Sequence, residues 1–364
     1  MNYTKIKFVN KAKSNFFGDL RTKIDEYFEQ NHLSKCGGNK LIIKALFMIG
    51  LYIIPYFLML TFTFTGLQMF LMCIIMGFGV AGVGMSVMHD AIHGSFSSKP
   101  WVNKVFGATI YFLGGNAYNW DVQHNKLHHT YTNVHGVDED ITGKPFLRLS
   151  YDDKLKSIHR FQHFYAFFLY SLMTISFLWK DFKEIYLYNQ MAKSGIVKAY
   201  PRKELVILFI TKILYVLFIF GIPIVFTNNI SIGEWAIGFM AMHCTAGLIL
   251  TTVFQLAHVV EGVDQPLPDE RGTIENAWAI HQLMTTANFS GKNKILSWYI
   301  GGLDYQVEHH LFPNISHVHY PAIAKIVKTT AEQYGIPYNN KGSFQVAVGS
   351  HVRMLRDMGR YEAA

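Results

Sequence analysis

The chain has 364 residues, half of them hydrophobic and only 16% charged, against about a quarter charged in an ordinary soluble domain. Its formal net charge is +8, yet the basic residues are dispersed and no nucleic-acid-binding motif accompanies them. These features exclude a soluble domain and a nucleic-acid partner; they indicate an integral membrane protein whose basic surface meets anionic lipid headgroups or an acidic protein.

Residues 1–40 begin "MNYTKIKFVNKAKSNFFGDL", which is basic but lacks the uninterrupted apolar core and small-residue cleavage site of a secretory signal. They are expected to form a retained, partly helical cytoplasmic arm at the membrane surface. Four stretches, 43–64, 67–88, 205–227 and 235–257, are apolar over the roughly 20 residues that a bilayer requires. The links "TG" and "NNISIGE" join them into two hairpins. Neither link holds Lys or Arg, whereas the arm through Lys44, residues 89–204 and residues 258–364 hold all the Lys and Arg except Lys212. By the positive-inside rule both termini and the long middle segment are cytoplasmic. Lys212, inside the third span, is expected to snorkel toward the near surface.

The expected fold is all-α and integral to the membrane: four transmembrane helices in two hairpins under a helical cytoplasmic cap. Residues 41–320 make the membrane domain, with cap segments 89–204 and 258–320, and residues 321–364 form a C-terminal cytoplasmic cap or tail. Two further apolar stretches, 101–118 and 161–179, are expected to lie along the interface or dip in without crossing, because only then do all the histidine clusters share one face. The three cysteines, Cys36, Cys73 and Cys244, form no CxxC and imply neither a disulfide framework nor a thiolate metal site.

Seven of the seventeen histidines fall in three clusters. "MHDAIHGS" places His89 and His93 four apart where the second span emerges, on one face of a helix. "QHNKLHHTYTN" places His124 and His128 on one face, with His129 turned about 100° away. "GGLDYQVEHHLFPN" places Gln306 on a face with His309 and His310. His258 adds an eighth imidazole at the cytoplasmic end of the fourth span. A lone histidine is ordinarily a surface or satisfied core residue, and His32, His159, His163, His281 and His351 are read so. His243, far down the fourth span, is structural or pocket-lining; His317 and His319, behind the third cluster, are candidates for supporting contacts.

Imidazole suits zinc, copper, iron and nickel. Eight are too many for one ion and about right for two, and zinc does no redox chemistry, so a pair of irons that can change valence and bind O2 is the sharper fit. Asp90, Asp121, Asp138, Asp140, Glu261, Asp304 and Glu308 stand beside the histidines. Such carboxylates take the second N–H of a ligating imidazole, and Asp90 and Glu261 are the preferred partners.

HxxxH, HxxxHH and QxxHH in this order resemble the three histidine boxes of membrane fatty acid desaturases. "QVEHHLFP" is similar to the front-end acyl desaturase branch, which includes linoleoyl (delta-6) enzymes, and "HNKLHHTYTN", "QLAHVVEG" and "WAIHQLMTTANF" extend the likeness over roughly residues 80–320. The resemblance implies a di-iron centre ligated by His89, His93, His124, His128, His129, His258, His309 and His310. Gln306 stands where relatives carry another histidine, as a direct, water-bridged or purely structural residue. No HPGG haem motif is present, so electrons are expected from a separate ferredoxin or cytochrome b5. Asp304 and Phe254 stand where Asn is found in relatives.

An unactivated methylene cannot be deprotonated by a side chain, so an oxidising cofactor must carry the chemistry. The expected reaction uses O2 and two electrons to place a cis double bond in a fatty acyl-CoA or acyl-lipid. A narrow apolar tunnel would hold the chain, with Trp120, Trp278, Thr286, Phe289 and Tyr305 as candidate lining and Thr285 and Asn288 as cap-orienting residues. A membrane di-iron hydroxylase of alkyl chains or lipids is the nearest alternative; a metal transporter or haem electron carrier is the non-oxidative one.

Overall fold

Four helices long and apolar enough to cross a bilayer occur among the described residues of the computed structural model, which are 5–226, 230–289 and 293–361. The element order is β1 (Lys7–Phe8), α1 (Phe16–Gln30), α2 (Asn39–Thr61), α3 (Gly66–Ile92), α4 (Pro100–Gly107), α5 (Ala117–Trp120), α6 (Gln162–Ser171), α7 (Met173–Lys193), α8 (Arg202–Phe226), α9 (Ile232–His258), β2 (Thr273–Ile274), α10 (Trp278–Thr285), α11 (Lys294–Tyr299), α12 (Gln306–Leu311), α13 (Tyr320–Gln333) and α14 (Phe344–Met358). The spans are α2, α3, α8 and α9, close to the expected limits. The expected end of the third at Thr227 and the start of the "NNISIGE" link lie outside the described residues.

Local sequence sets the ends of the spans. Thr65 and Gln68 form a capping box at the start of α3, and Ser231 and Glu234 form another at the start of α9. Each satisfies helix-end N–H groups at the turn of a hairpin. Gly77 and Gly79 let the spans touch: a Cβ at either would lie about 2.5 Å from the backbone of Met242 or Tyr52. Small residues at such crossings are how helices pack where lipid supplies no hydrophobic drive.

The stretch 161–179 is bent, not straight: Ser157–Ser171 and Met173–Lys193 meet at 77°. Gln162, at the start of α6, donates to the carbonyls of Arg148 and Leu355. Further on, Lys180 in α7 donates to Gln123, and Tyr188 packs with Val122 and Leu127. The bend itself meets the middle of α9, where Thr251 donates to the Tyr170 carbonyl and Thr174 to that of His243. His243 lies about 22 Å along α9 from His258 at 1.5 Å per residue. Both outer ends of the pair therefore meet the same end of the bundle while the bend dips beside α9. The other stretch, 101–118, breaks after α4 into a tight 3-10 turn at Ala108–Leu113, ended by left-handed Gly114.

Lys212 does not snorkel. It is buried, donates to the Gly114 and Phe177 carbonyls, and pairs with Asp181. The bend in α6–α7 carries that carboxylate to it, and a buried cation needs such a partner. His243 is structural: Tyr215 Oη lies 2.6 Å from its Nε2 and Thr174 Oγ1 3.0 Å from its Nδ1.

The arm is built into the cap. β1 pairs in parallel with β2, and α1 buries Phe16, Leu20, Ile24 and Phe28 in a core shared with Leu283, Val307, Leu311, Ile323 and Val327. The larger core fills the bundle between α2, α3 and α9. The histidine clusters lie where the two meet.

Candidate metal centre

Two short π-helical turns shape the site. One, Gly84–Met88, precedes His89; the other, Asp121–His128, carries the second cluster. In the second, the His129 N–H donates to the His124 carbonyl at 2.9 Å, five residues back. π-Bulges are rare and concentrate at functional sites. This one adds a contact to the α-helical reading: the His124 ring stacks on His128 at 5.3 Å, as the spacing predicts, and His129 is also brought in, its Nε2 3.2 Å from that of His124.

α12 presents His309 and His310 from only six residues, so its placement depends on its supports. Asn288 accepts from the Val307 N–H and donates to Glu308, which also accepts from Tyr338 Oη, each at 2.8 Å. Gly301 and Gly302 before it have φ of 69° and 66°; a Cβ on Gly301 would lie 2.6 Å from the Met85 carbonyl, so the close approach to α3 requires glycine.

The histidines form two adjoining groups. His89, His93, His124 and His309 each offer a ring nitrogen within 4.8 Å of the others, and His128, His258 and His310 do the same. His129 lies between: its Nε2 is 3.0 Å from that of His309, and its ring stacks on His310 at 4.3 Å. All eight expected imidazoles thus meet at one place. The Nε2 atoms of His89, His93, His258 and His310 are buried without a hydrogen-bond partner, a costly arrangement for a polar atom. Several rings are oriented from behind. His128 Nδ1 donates to Asp138 at 3.0 Å, His310 Nδ1 to Gln282 Oε1 at 2.9 Å and His258 Nδ1 to the Thr285 carbonyl at 3.3 Å. His309 Nδ1 lies 3.1 Å from Tyr320 Oη, and His89 Nδ1 3.5 Å from Asp90. An acceptor on Nδ1 leaves the lone pair on Nε2, turned toward the group. Burial, and then the neighbouring imidazoles, hold His93, His124, His129, His309 and His310 well below the usual imidazole range, so they stay neutral. Neutral, converging and unpartnered imidazoles fit transition-metal ions. At His128, burial lowers the basicity but Asp138 outweighs it and raises the pKa to about 8, while that imidazole holds Asp138 at about 2.

The carboxylates divide. Asp90 takes the expected place and reaches farther: its other oxygen is 2.7 Å from His317 Nδ1, whose Nε2 is 3.1 Å from Lys44 Nζ. Asp140 lies 3.5 Å from His128, and Asp121 pairs with Lys126. Glu261 is a correction: it turns outward to Arg353 at 2.7 Å and Ser350 at 3.0 Å, because the chain reverses after α9. Asp304 accepts from Ser297, and Glu308 is bonded to Asn288 and Tyr338; both brace the loop around α12 and neither is bonded to a histidine. Gln306 is buried with its Nε2 unpartnered.

Of the candidate lining residues, Trp120 packs against the rings, 4.4 Å from His124 and 5.6 Å from His89 and His93. Phe254 is 6.1 Å from His124. Trp278 and Tyr305 belong instead to the cap core, Trp278 donating to the His129 carbonyl, and Phe289 packs in the bundle core on Phe344. Thr286 is fully buried with an unpartnered hydroxyl. Thr285 contributes its carbonyl to His258. Sequence reasoning missed Gln282, Tyr320, Lys44 and Asn133. The last, at φ 57°, bonds the His258, Asp264 and Thr285 carbonyls and the Asp138 carboxylate. Asn133 and Gln282 stand in the motif strings themselves, the available signal; nothing local marks Lys44 or Tyr320.

The Fatty acid desaturase family profile matches residues 65–342. The chain belongs to the fatty acid desaturase family. It is 36% identical to an sn-1 linoleoyl-lipid 6-desaturase of Synechocystis sp. over 98% of both chains. It is 32% identical to one of Arthrospira platensis, over 94% of this chain and 92% of that one. An acyl-lipid (8-3)-desaturase of Physcomitrium patens is 31% identical over 98% of this chain and 74% of its own. This desaturase is therefore a multi-pass membrane oxidoreductase with a histidine-rich cluster suited to metal.

Proposed function

We propose that the protein inserts a cis double bond into an acyl chain of a membrane lipid, as a front-end desaturase with delta-6 linoleoyl selectivity. The observation that carries this is the eight-histidine cluster, in two adjoining groups, within a chain alike along nearly its whole length to linoleoyl-lipid 6-desaturases. The names of those relatives favour an acyl-lipid over an acyl-CoA.

Two irons would be held by His89, His93, His124 and His309 on one side and His128, His258 and His310 on the other, with His129 between and Gln306 nearby. When bound, they supply the O2-dependent oxidation that no side chain can perform. The reaction balances when two C–H hydrogens leave adjacent carbons and, together with O2, two carrier electrons and two protons, end in two waters. The chain's own part is geometric: Trp120 and Phe254 close an apolar wall against the rings, limit water and hold one C–C bond in place, where small misplacement is costly. Electrons come from a separate ferredoxin or cytochrome b5. The metal face and both termini are cytoplasmic, by the distribution of Lys and Arg. Cysteines placed at the exposed positions Asp152 and Lys193, beside buried Ser150, are expected to label from the same side of a sealed membrane; labelling from opposite sides would overturn this topology.

Expression in a host fed linoleate, with double bonds located by gas chromatography and mass spectrometry, tests the activity. A new delta-6 bond is expected. Products heavier by one oxygen would establish a hydroxylase instead. Iron in the purified protein without a haem absorption band would dispose of a haem carrier.

A further inference from the structure

A corner away from the histidines has a composition that the reaction does not use. Around α6, the side chains of Phe146, Ile158, Phe161, Phe164 and Phe168 are exposed, Phe164 by 75%. Phe161, Phe164 and Phe168 recur at three and four residues, so they share one helical face. At the outer end of that face stand Lys154, Lys156 and Arg160, all exposed.

The C-terminus supplies more positive charge. Buried Arg148 grips it, donating Nη1 to the Met358 and Tyr361 carbonyls at 2.6 and 2.7 Å, Nη2 to Tyr151 and Nε to Asp153. Gly359 abuts the His159 carbonyl. Arg356 and Arg360 are thereby held exposed and within electrostatic reach of His163 on α6. Among the described residues, none of Lys154, Lys156, Arg160, Arg356 and Arg360 forms an ion pair. Among the described residues the acids nearby are fewer: Asp152, Asp153, which holds His135 at 3.0 Å, and Asp357.

We propose that this corner binds an acidic phospholipid, its acyl chains along Phe161, Phe164 and Phe168 and its phosphate among Arg160, Arg356 and Arg360. The apolar face continues directly into the cationic one, the order in which a lipid presents chain and headgroup. A zwitterionic lipid brings its own cation and does not neutralise the cluster. Such a lipid would tie α6, which dips beside α9, to the C-terminal helix.

The test uses the full chain, purified and delipidated in detergent, then titrated with phosphatidylglycerol or phosphatidylcholine and read by native mass spectrometry and thermal unfolding. Phosphatidylglycerol is expected to be retained more tightly and to raise the unfolding temperature more. Glycerol phosphate, the soluble headgroup, is expected to do neither. The R160Q/R356Q/R360Q variant should lose retention about fivefold for each charge removed, while K325Q/K328Q, on α13, should not. Equal retention of the two lipids by the unaltered protein overturns the proposal even if the triple variant does not fold. So does unchanged retention by a folded triple variant, or stabilisation by glycerol phosphate equal to that by the lipid.

Discussion

The two halves of the histidine cluster are supported from different parts of the molecule. In the first, His89 leans on Asp90, which is held by His317 and, through it, by Lys44 inside α2. In the second, His128 leans on Asp138 and His310 on Gln282, both in the cap. Yet each half draws rings from both layers: His89 and His93 meet His124 and His309, and His258 meets His128 and His310. The site therefore comes into being only where cap and bundle dock, and it is held there by buried polar contacts behind the rings on each side.

Substitutions can break this symmetry, beginning with the largest effect. His309→Ala removes a ring that touches both halves through His129; activity should fall beyond the 10- to 100-fold typical of losing a supporting partner, with iron content reduced in both halves. Asp138→Asn and Asp90→Asn should each weaken iron retention about 10- to 100-fold, but on different halves. Iron counted by elemental analysis after a chelator challenge should drop by one ion in each case, and by both in the double variant. Lys44→Met acts through two intermediates and should cost the first half about 1 kcal/mol, roughly fivefold in retention. Glu261→Gln should leave iron untouched and shift unfolding by less than about 0.5 kcal/mol, since its pair with Arg353 is exposed.

How much of this was legible in the sequence depends on the kind of signal. The spans were readable because a bilayer demands long apolar runs, and the eight rings because they recur at helical spacing beside the spans. The close approach of His129 to His124 was not, because a π turn brings i,i+5 together and leaves no mark in residue identity. Glu261 was misread because nearness to His258 along the chain says nothing about direction after a helix ends. Lys212 was misread because its partner, Asp181, arrives only once α6–α7 bends. Lys44 meets His317 across 273 positions of chain, and His317 meets Asp90 across 227, separations no local pattern spans.

The most direct test is a structure of the iron-loaded protein with the metals located by anomalous scattering. The account expects two irons, one within His89, His93, His124 and His309 and one within His128, His258 and His310, with His129 between them. A single ion, or an ion held instead by His128, Asp138 and Asp140, would contradict it.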